Sequence, residues 1–127
     1  MGRITKPRDD MTTHEMHPDP ITLVNAFQIE PEKLDAFLAV WRDRAEFMST
    51  RPGFRSLRLL RAASARAPFL LVVVAEWEGV GALQAAMTHE GFEASARRAV
   101  EELGVSAHPG IYRVALEVSA VRNGLAG

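Results

Sequence analysis

The spacing of apolar residues along the chain switches between periods of two and periods of three to four, and the switches mark out its elements. From residue 21, Ile21, Leu23, Asn25, Phe27 and Ile29 alternate with Thr22, Val24, Ala26 and Gln28, which predicts a strand over residues 21–29. Pro31 suits a first helical turn, and Leu34, Phe37, Leu38, Trp41, Ala45 and Met48 then recur at helical spacing, predicting a helix of about four to five turns. It stops at Arg51-Pro52-Gly53, where Pro52 restricts the residue before it and Gly53 permits a turn. Residues 54–62 and 69–77 predict two strands joined by a short loop. Beyond Gly79 and Gly81, the run Leu83, Ala86, Met87, Phe92, Ala96, Ala99, Val100 and Leu103 predicts two short helices or one bent helix ending at Gly104. His108-Pro109-Gly110 leads into a last strand in which Tyr112, Val114, Leu116 and Val118 face one way and Arg113 and Glu117 the other.

Strand, helix, strand, strand, helix, strand is the split βαβ order of ferredoxin-like α+β domains: a four-stranded antiparallel sheet with helices on one face. Residues 1–18 are polar and aperiodic, so a tail is expected there, a domain over 19–120 and a second tail over 121–127. A sheet with one wet face should alternate apolar and polar residues, yet Leu70, Val72 and Val74 are as apolar as Phe69, Leu71 and Val73. Left bare, that side would be an association surface, and the economical cover is a second copy about a two-fold axis. A homodimer is expected. On the preceding strand, Arg55 and Arg61 share a face toward solvent or the partner, while Arg58 shares the other with Phe54 and Leu60 and is placed to meet an anion or Glu76.

Charge and composition narrow the function classes. Fifteen Lys and Arg against 16 Asp and Glu leave no net charge to attract phosphate backbones or anionic lipid, which disfavours nucleic-acid and membrane partners. No apolar run approaches the roughly 20 residues of a membrane span, and the N-terminal segment lacks a signal-peptide core, so a cytoplasmic location is expected. The chain has no cysteine, which removes disulfides, thiolate metal sites and cysteine nucleophiles. His14-Glu15-Met16-His17 lacks the HExxH spacing of a metal site, and Gly79-Val80-Gly81 lacks the third glycine of a dinucleotide fingerprint. No cofactor or metal is expected.

The remaining candidates are few. Asn25 sits on the apolar side of its strand, where an amide is costly unless its hydrogen bonds are met, so it is either satisfied internally or available to a ligand oxygen. Trp77 ends an apolar strand and carries an indole N–H in need of an acceptor. His89 stands between the two helical stretches, where a cap is the simpler role. His108 and Tyr112 flank a turn, with Tyr112 the better placed to donate into a pocket.

Ile21 to Phe27 with its embedded Asn25, then Arg51-Pro52-Gly53-Phe54, Val74-Ala75-Glu76-Trp77-Glu78 and His108-Pro109-Gly110-Ile111-Tyr112, resemble in order and spacing the antibiotic biosynthesis monooxygenase superfamily over about residues 20–120. The resemblance implies a dimeric α+β barrel with a pocket between sheet and helices. It also implies a cofactor-independent oxygenase acting on a small aromatic, such as a polyketide-derived phenol, quinol or anthrone-like compound. Asn25 and Trp77 would then stabilise an anion, with Phe37, Trp41, Met87, His89, Phe92 and Tyr112 around the substrate. Anthrone oxygenases carry a matching Trp, but also an Asn and a Tyr where this chain has Val73 and Leu83. The heme-degrading relatives carry a ligand His and a Trp where this chain has Ala96 and Ala86, which makes heme a minor alternative beside a non-catalytic dimeric binder of a hydrophobic metabolite.

Overall fold

The computed structural model describes residues 19–121; the expected N-terminal tail, with His14 and His17, and all but the first residue of the expected C-terminal tail fall outside them. Strands β1 (Ile21–Gln28), β2 (Phe54–Arg61), β3 (Leu71–Trp77) and β4 (Ser106–Tyr112) form one sheet in the order β2-β3-β1-β4. Every neighbouring pair is antiparallel. A single 3-10 turn at Pro31–Lys33 leads into helix α1 (Leu34–Ser49), and helices α2 (Val80–Met87) and α3 (Glu90–Leu103) separate β3 from β4. This is the predicted ferredoxin-like α+β fold, with the second helical region split in two.

The split is made by His89. Its Nδ1 accepts a hydrogen bond from the Gly91 N–H at 3.1 Å, capping the new helix. At the other end α3 closes on Gly104 in the left-handed conformation. A second glycine is needed for a different reason. Gly53 has φ +85°, its carbonyl accepts from the Glu78 N–H at 2.8 Å, and a Cβ there would stand 2.5 Å from Cβ of Ala82. The Arg51-Pro52-Gly53 stop thus lets α2 close over the junction of α1 and β2.

The core lies between the helices and one face of the sheet. Ile21, Leu23, Phe27, Leu71, Val73, Ala75 and Trp77 from the strands meet Leu34, Phe37, Trp41 and Met48 from α1 and Leu83 and Ala86 from α2. Phe27 and Phe37 pack edge to face with centroids 5.0 Å apart, as do Phe54 and Trp77 at 5.3 Å. Val24, Ala26, Val72 and Val74 occupy the alternate positions, on the far face.

Three sequence expectations shift. The third strand starts at Leu71 rather than residue 69, because the Leu70 carbonyl closes the hairpin by accepting from the Ala62 N–H at 2.9 Å. Phe69 therefore leaves the core and packs against His108, centroids 5.5 Å apart. An irregularity in the β2–β3 register between Phe54 and Ser56 advances the alternation by one residue. Phe54 consequently shares the helix face with Leu57 and Leu59, while Arg58 and Leu60 lie on the far face opposite Val74 and Val72. Finally, the last strand runs from Ser106 and ends at Tyr112, which pairs with Thr22 near the start of β1. Beyond it no partner strand remains among the described residues, and Val114, Leu116 and Val118 are irregular and 67%, 82% and 80% exposed.

Candidate functional site

A cavity of about 200 Å³ opens between the sheet and the helices near the end of β1 that leads toward α1. Leu23, Asn25 and Phe27 of β1 form its floor, and Ala107 and Pro109 of β4 extend it. Phe37, Trp41, Arg44 and Met48 of α1, Met87 at the end of α2, and Phe92, Ala96, Ala99 and Val100 of α3 form its walls. The register explains the assembly: Phe27 stands opposite Ala107 and Asn25 opposite Pro109, so the inward positions of both strands coincide. Phe37, Trp41, Met87 and Phe92, expected as walls, come together here with Asn25.

Three expected residues do not join them. Trp77 is wholly buried but pairs with Ile21, four positions along β1 from Asn25, or about 13 Å at the strand rise. It packs on Phe54 outside the cavity. His89 is the exposed cap of α3, stacked on Phe47 at 4.8 Å, and does not line the cavity either. Tyr112 alternates with the inward Pro109 and Ile111, so it lies on the opposite side of the sheet, 58% exposed, with its ring over Gly110. His108 shares that side.

The polar content of the cavity is small and unusual. The Asn25 Oδ1 and the Trp41 Nε1 are both buried, and neither meets a hydrogen-bond partner among the described residues. Most buried polar atoms in proteins are paired, so two orphans around one cavity mark it as a place for a polar ligand or water. The third polar group is Arg44, 6% exposed. Its guanidinium lies over the ring of Trp41 at 4.9 Å and that of Phe92 at 5.2 Å, and its Nε donates to the Ser95 Oγ at 3.0 Å. Burial lowers its pKa to about 10, which still leaves it charged at neutral pH. No ion pair among the described residues involves it.

Sequence reasoning passed over Arg44, although a signal was present. Leu34, Phe37, Trp41, Arg44 and Met48 follow the alternating three- and four-residue spacing of a helix's buried stripe. Residue type points to Ala45 instead, because a charged residue on a helix is ordinarily solvated.

Among the described residues, no side chain that lines the cavity is a His, Asp, Glu, Cys or Tyr. Among the described residues, no group of three potential metal ligands converges, and no helix is long and apolar enough to cross a membrane. The antibiotic biosynthesis monooxygenase family model matches residues 20–98. Among solved structures, the chain is similar to a candidate monooxygenase from Shewanella loihica, at 29% identity over 78% of this chain and 97% of that one, with a TM-score of 0.62. It is similar to SnoaB, a cofactor-independent oxygenase from Streptomyces nogalater, at 26% identity over 80% and 99% of the two chains, TM-score 0.66. A protein from Methanosarcina mazei shares the fold at 21% identity over 79% and 97%, TM-score 0.66. No curated protein matches the chain significantly.

Proposed function

Since the chain belongs to the antibiotic biosynthesis monooxygenase family, we propose that it is a cofactor-independent oxygenase acting on a small electron-rich phenol or quinol. The observation that carries this reading is the cavity itself: apolar and aromatic walls around Asn25, whose buried Oδ1 has no partner among the described residues. Its volume of about 200 Å³ is below the roughly 300–1,000 Å³ of sites for larger ligands and cofactors. An apolar cavity of roughly 150 Å³ holds benzene, so one ring or a compact pair of rings is the matching size. SnoaB, with the same fold, is a cofactor-independent oxygenase.

In such a reaction the substrate supplies all the electrons. A hydroquinone loses a proton, its electron-rich ring reduces O2, one oxygen atom becomes a new hydroxyl on the ring as the two original oxygens become carbonyls, and the other leaves as water. The four electrons taken up by O2 balance the oxidation of hydroquinone to hydroxyquinone. The dry walls strengthen every polar interaction with the developing anion, and Asn25 is the side chain assigned to hold its oxygen. Trp41 takes the role that the resemblance suggested for Trp77, since Trp41, not Trp77, lines the cavity, and its buried indole N–H has no partner among the described residues.

An oxygen-electrode assay against a panel of one- and two-ring hydroquinones tests the proposal. Oxygen consumption with a single 18O atom in the product is the expected result. Tight binding of the same compounds without oxygen uptake would leave a non-catalytic binder, a reading favoured by the lack of any titratable base around the cavity.

We also propose that the protein works as a homodimer. Val24, Ala26, Val72, Val74 and Leu60 make the far face apolar, and Val114, Leu116 and Val118 project beside it without cover. A second copy through a two-fold axis buries both features in one contact.

A further inference from the structure

Among the described residues the cavity has a cation and no anion. Arg44 is the only charged side chain among them that lines it; its guanidinium meets Trp41 of α1 and Phe92 and Ser95 of α3, and Asn25 of β1, Met48 of α1 and Met87 of α2 line the same cavity. None of these titrates. A guanidinium carries five N–H donors. Here the two aromatic rings take its flanks and the Ser95 Oγ takes Nε, and no carboxylate among the described residues engages the terminal nitrogens. A buried charge is normally paired, because desolvation without a partner is costly. The cation–π contacts lessen that cost without cancelling the charge.

We infer that Arg44 is the anion-binding group of this cavity, and that its ligand is a one-ring or compact two-ring aromatic carrying an ionised oxygen, as a phenolate, enolate or carboxylate. The inference narrows the substrate class proposed above and also removes a difficulty from it. A phenol beside an uncompensated cation ionises to the phenolate by releasing its proton to solvent, so the lack of a His, Asp or Glu around the cavity is no obstacle to forming the reactive anion. An opposite charge within about 4–6 Å lowers an acid's pKa by about 1–3 units. Arg44 therefore replaces a general base by stabilising the product of deprotonation, and the planar guanidinium edge suits two oxygens as well as one.

The test is a spectroscopic titration that involves no oxygen. The full chain is saturated with 4-nitrophenol, whose phenolate absorbs in the visible, and its ionisation is followed against pH; 4-nitroanisole, the methylated neutral analogue, reports ring binding alone. A parallel competition compares benzoate with benzamide. The expected results are a bound phenol that titrates about 1–3 units below the free compound, or benzoate displacing the probe where benzamide does not. The first result assigns a phenolate ligand and the second a carboxylate. In Arg44→Met the charge preference disappears while 4-nitroanisole still binds, which shows that the cavity has kept its shape; Arg44→Lys restores part of the preference. Binding that ignores charge in both pairs, a preference that survives Arg44→Met, or failure of both nitro compounds to bind overturns the inference. Charge-selective binding without oxygen uptake would retire the oxygenase proposal and leave this one standing; oxygen uptake without charge selectivity would do the reverse.

Discussion

The two faces of the sheet are made by the same strands, residue by residue in alternation, and they solve opposite problems. On the helix face, Phe27, Val73 and Ala75 are sealed beneath α1 and α2, and the apolar cavity left there has Asn25, Trp41 and Arg44 around it. On the far face, Val24, Ala26, Val72 and Val74 are equally apolar but only half-buried, and the few charges, such as Arg58 and Glu76, are exposed. The first face has polar groups where water is scarce; the second has apolar groups where water is plentiful. Each mismatch is what motivates one of the two proposals, a small anion on the first face and a second copy on the other.

The sharpest way to separate the two faces is to charge the second. Val74→Asp is expected to abolish the dimer outright at micromolar concentration, read by light scattering, because two like charges would meet near the two-fold axis without partners. The monomer's near-ultraviolet circular dichroism should persist, since Val74 takes no part in the helix-side core. A dimer that survives the substitution places the contact elsewhere. The mirror experiment is Phe37→Ala. Phe37 is wholly buried and packs edge to face on Phe27, so its loss should destabilise the fold by about 3–5 kcal/mol in urea unfolding. A cost below about 1 kcal/mol would mean that the cavity wall is far more plastic than its packing implies.

Asn25→Ala probes the same face with a smaller effect on folding and a specific one on chemistry. The Asn25 Oδ1 has no partner among the described residues to lose, so stability should change by less than about 1 kcal/mol. Turnover of an accepted quinol should fall by about 100-fold, the usual scale for removing one polar contact to a developing oxyanion. Unchanged turnover removes Asn25 from the site.

Much of this contrast was legible in the sequence, and what was not has a common cause. Alternation placed Asn25 on the inward face and Val72 and Val74 on the outward one, and helical spacing placed Phe37 and Trp41 toward the sheet. Local periodicity encodes which way a side chain points. It does not encode where along a strand a cavity falls, and this is why Trp77, inward-facing as expected, ended about 13 Å from Asn25. Nor does it encode register irregularities: the slip between Phe54 and Ser56 reassigned Arg58, and the start of β1 at Ile21, not the pattern from Tyr112 to Val118, fixed where β4 stops. Arg44 was hidden for a different reason. Its position in the buried stripe was visible, but its residue type argued for solvent, and only the ring contacts with Trp41 and Phe92 show how a cation is accommodated there.

Arg44→Met gives the smallest expected change in stability and tests whether the charge is there for folding at all. Removing the guanidinium forfeits two ring contacts and the Ser95 hydrogen bond, each worth on the order of 1 kcal/mol, and relieves the desolvation of a buried charge, which has the opposite sign. With a side chain of similar length filling the space, the two should nearly cancel, leaving a net change within about 1 kcal/mol in the ligand-free protein. Their pH dependence differs, however. Burial holds the folded-state pKa of Arg44 at about 10, below its ordinary value, so above about pH 10 the unfolded chain holds a proton that the folded chain has released, and stability rises with pH there. Below about pH 10 the penalty is fully present and constant. The difference in unfolding free energy between wild type and Arg44→Met should therefore be flat from neutral pH to about 10 and then shift in favour of the wild type. Subtracting one protein from the other removes the shared titration of Lys and Tyr. A difference that stays flat to pH 12 would mean that the guanidinium is solvated and not buried. A large loss of stability at neutral pH would mean that it is structural, and would take away the reason to assign it to a ligand.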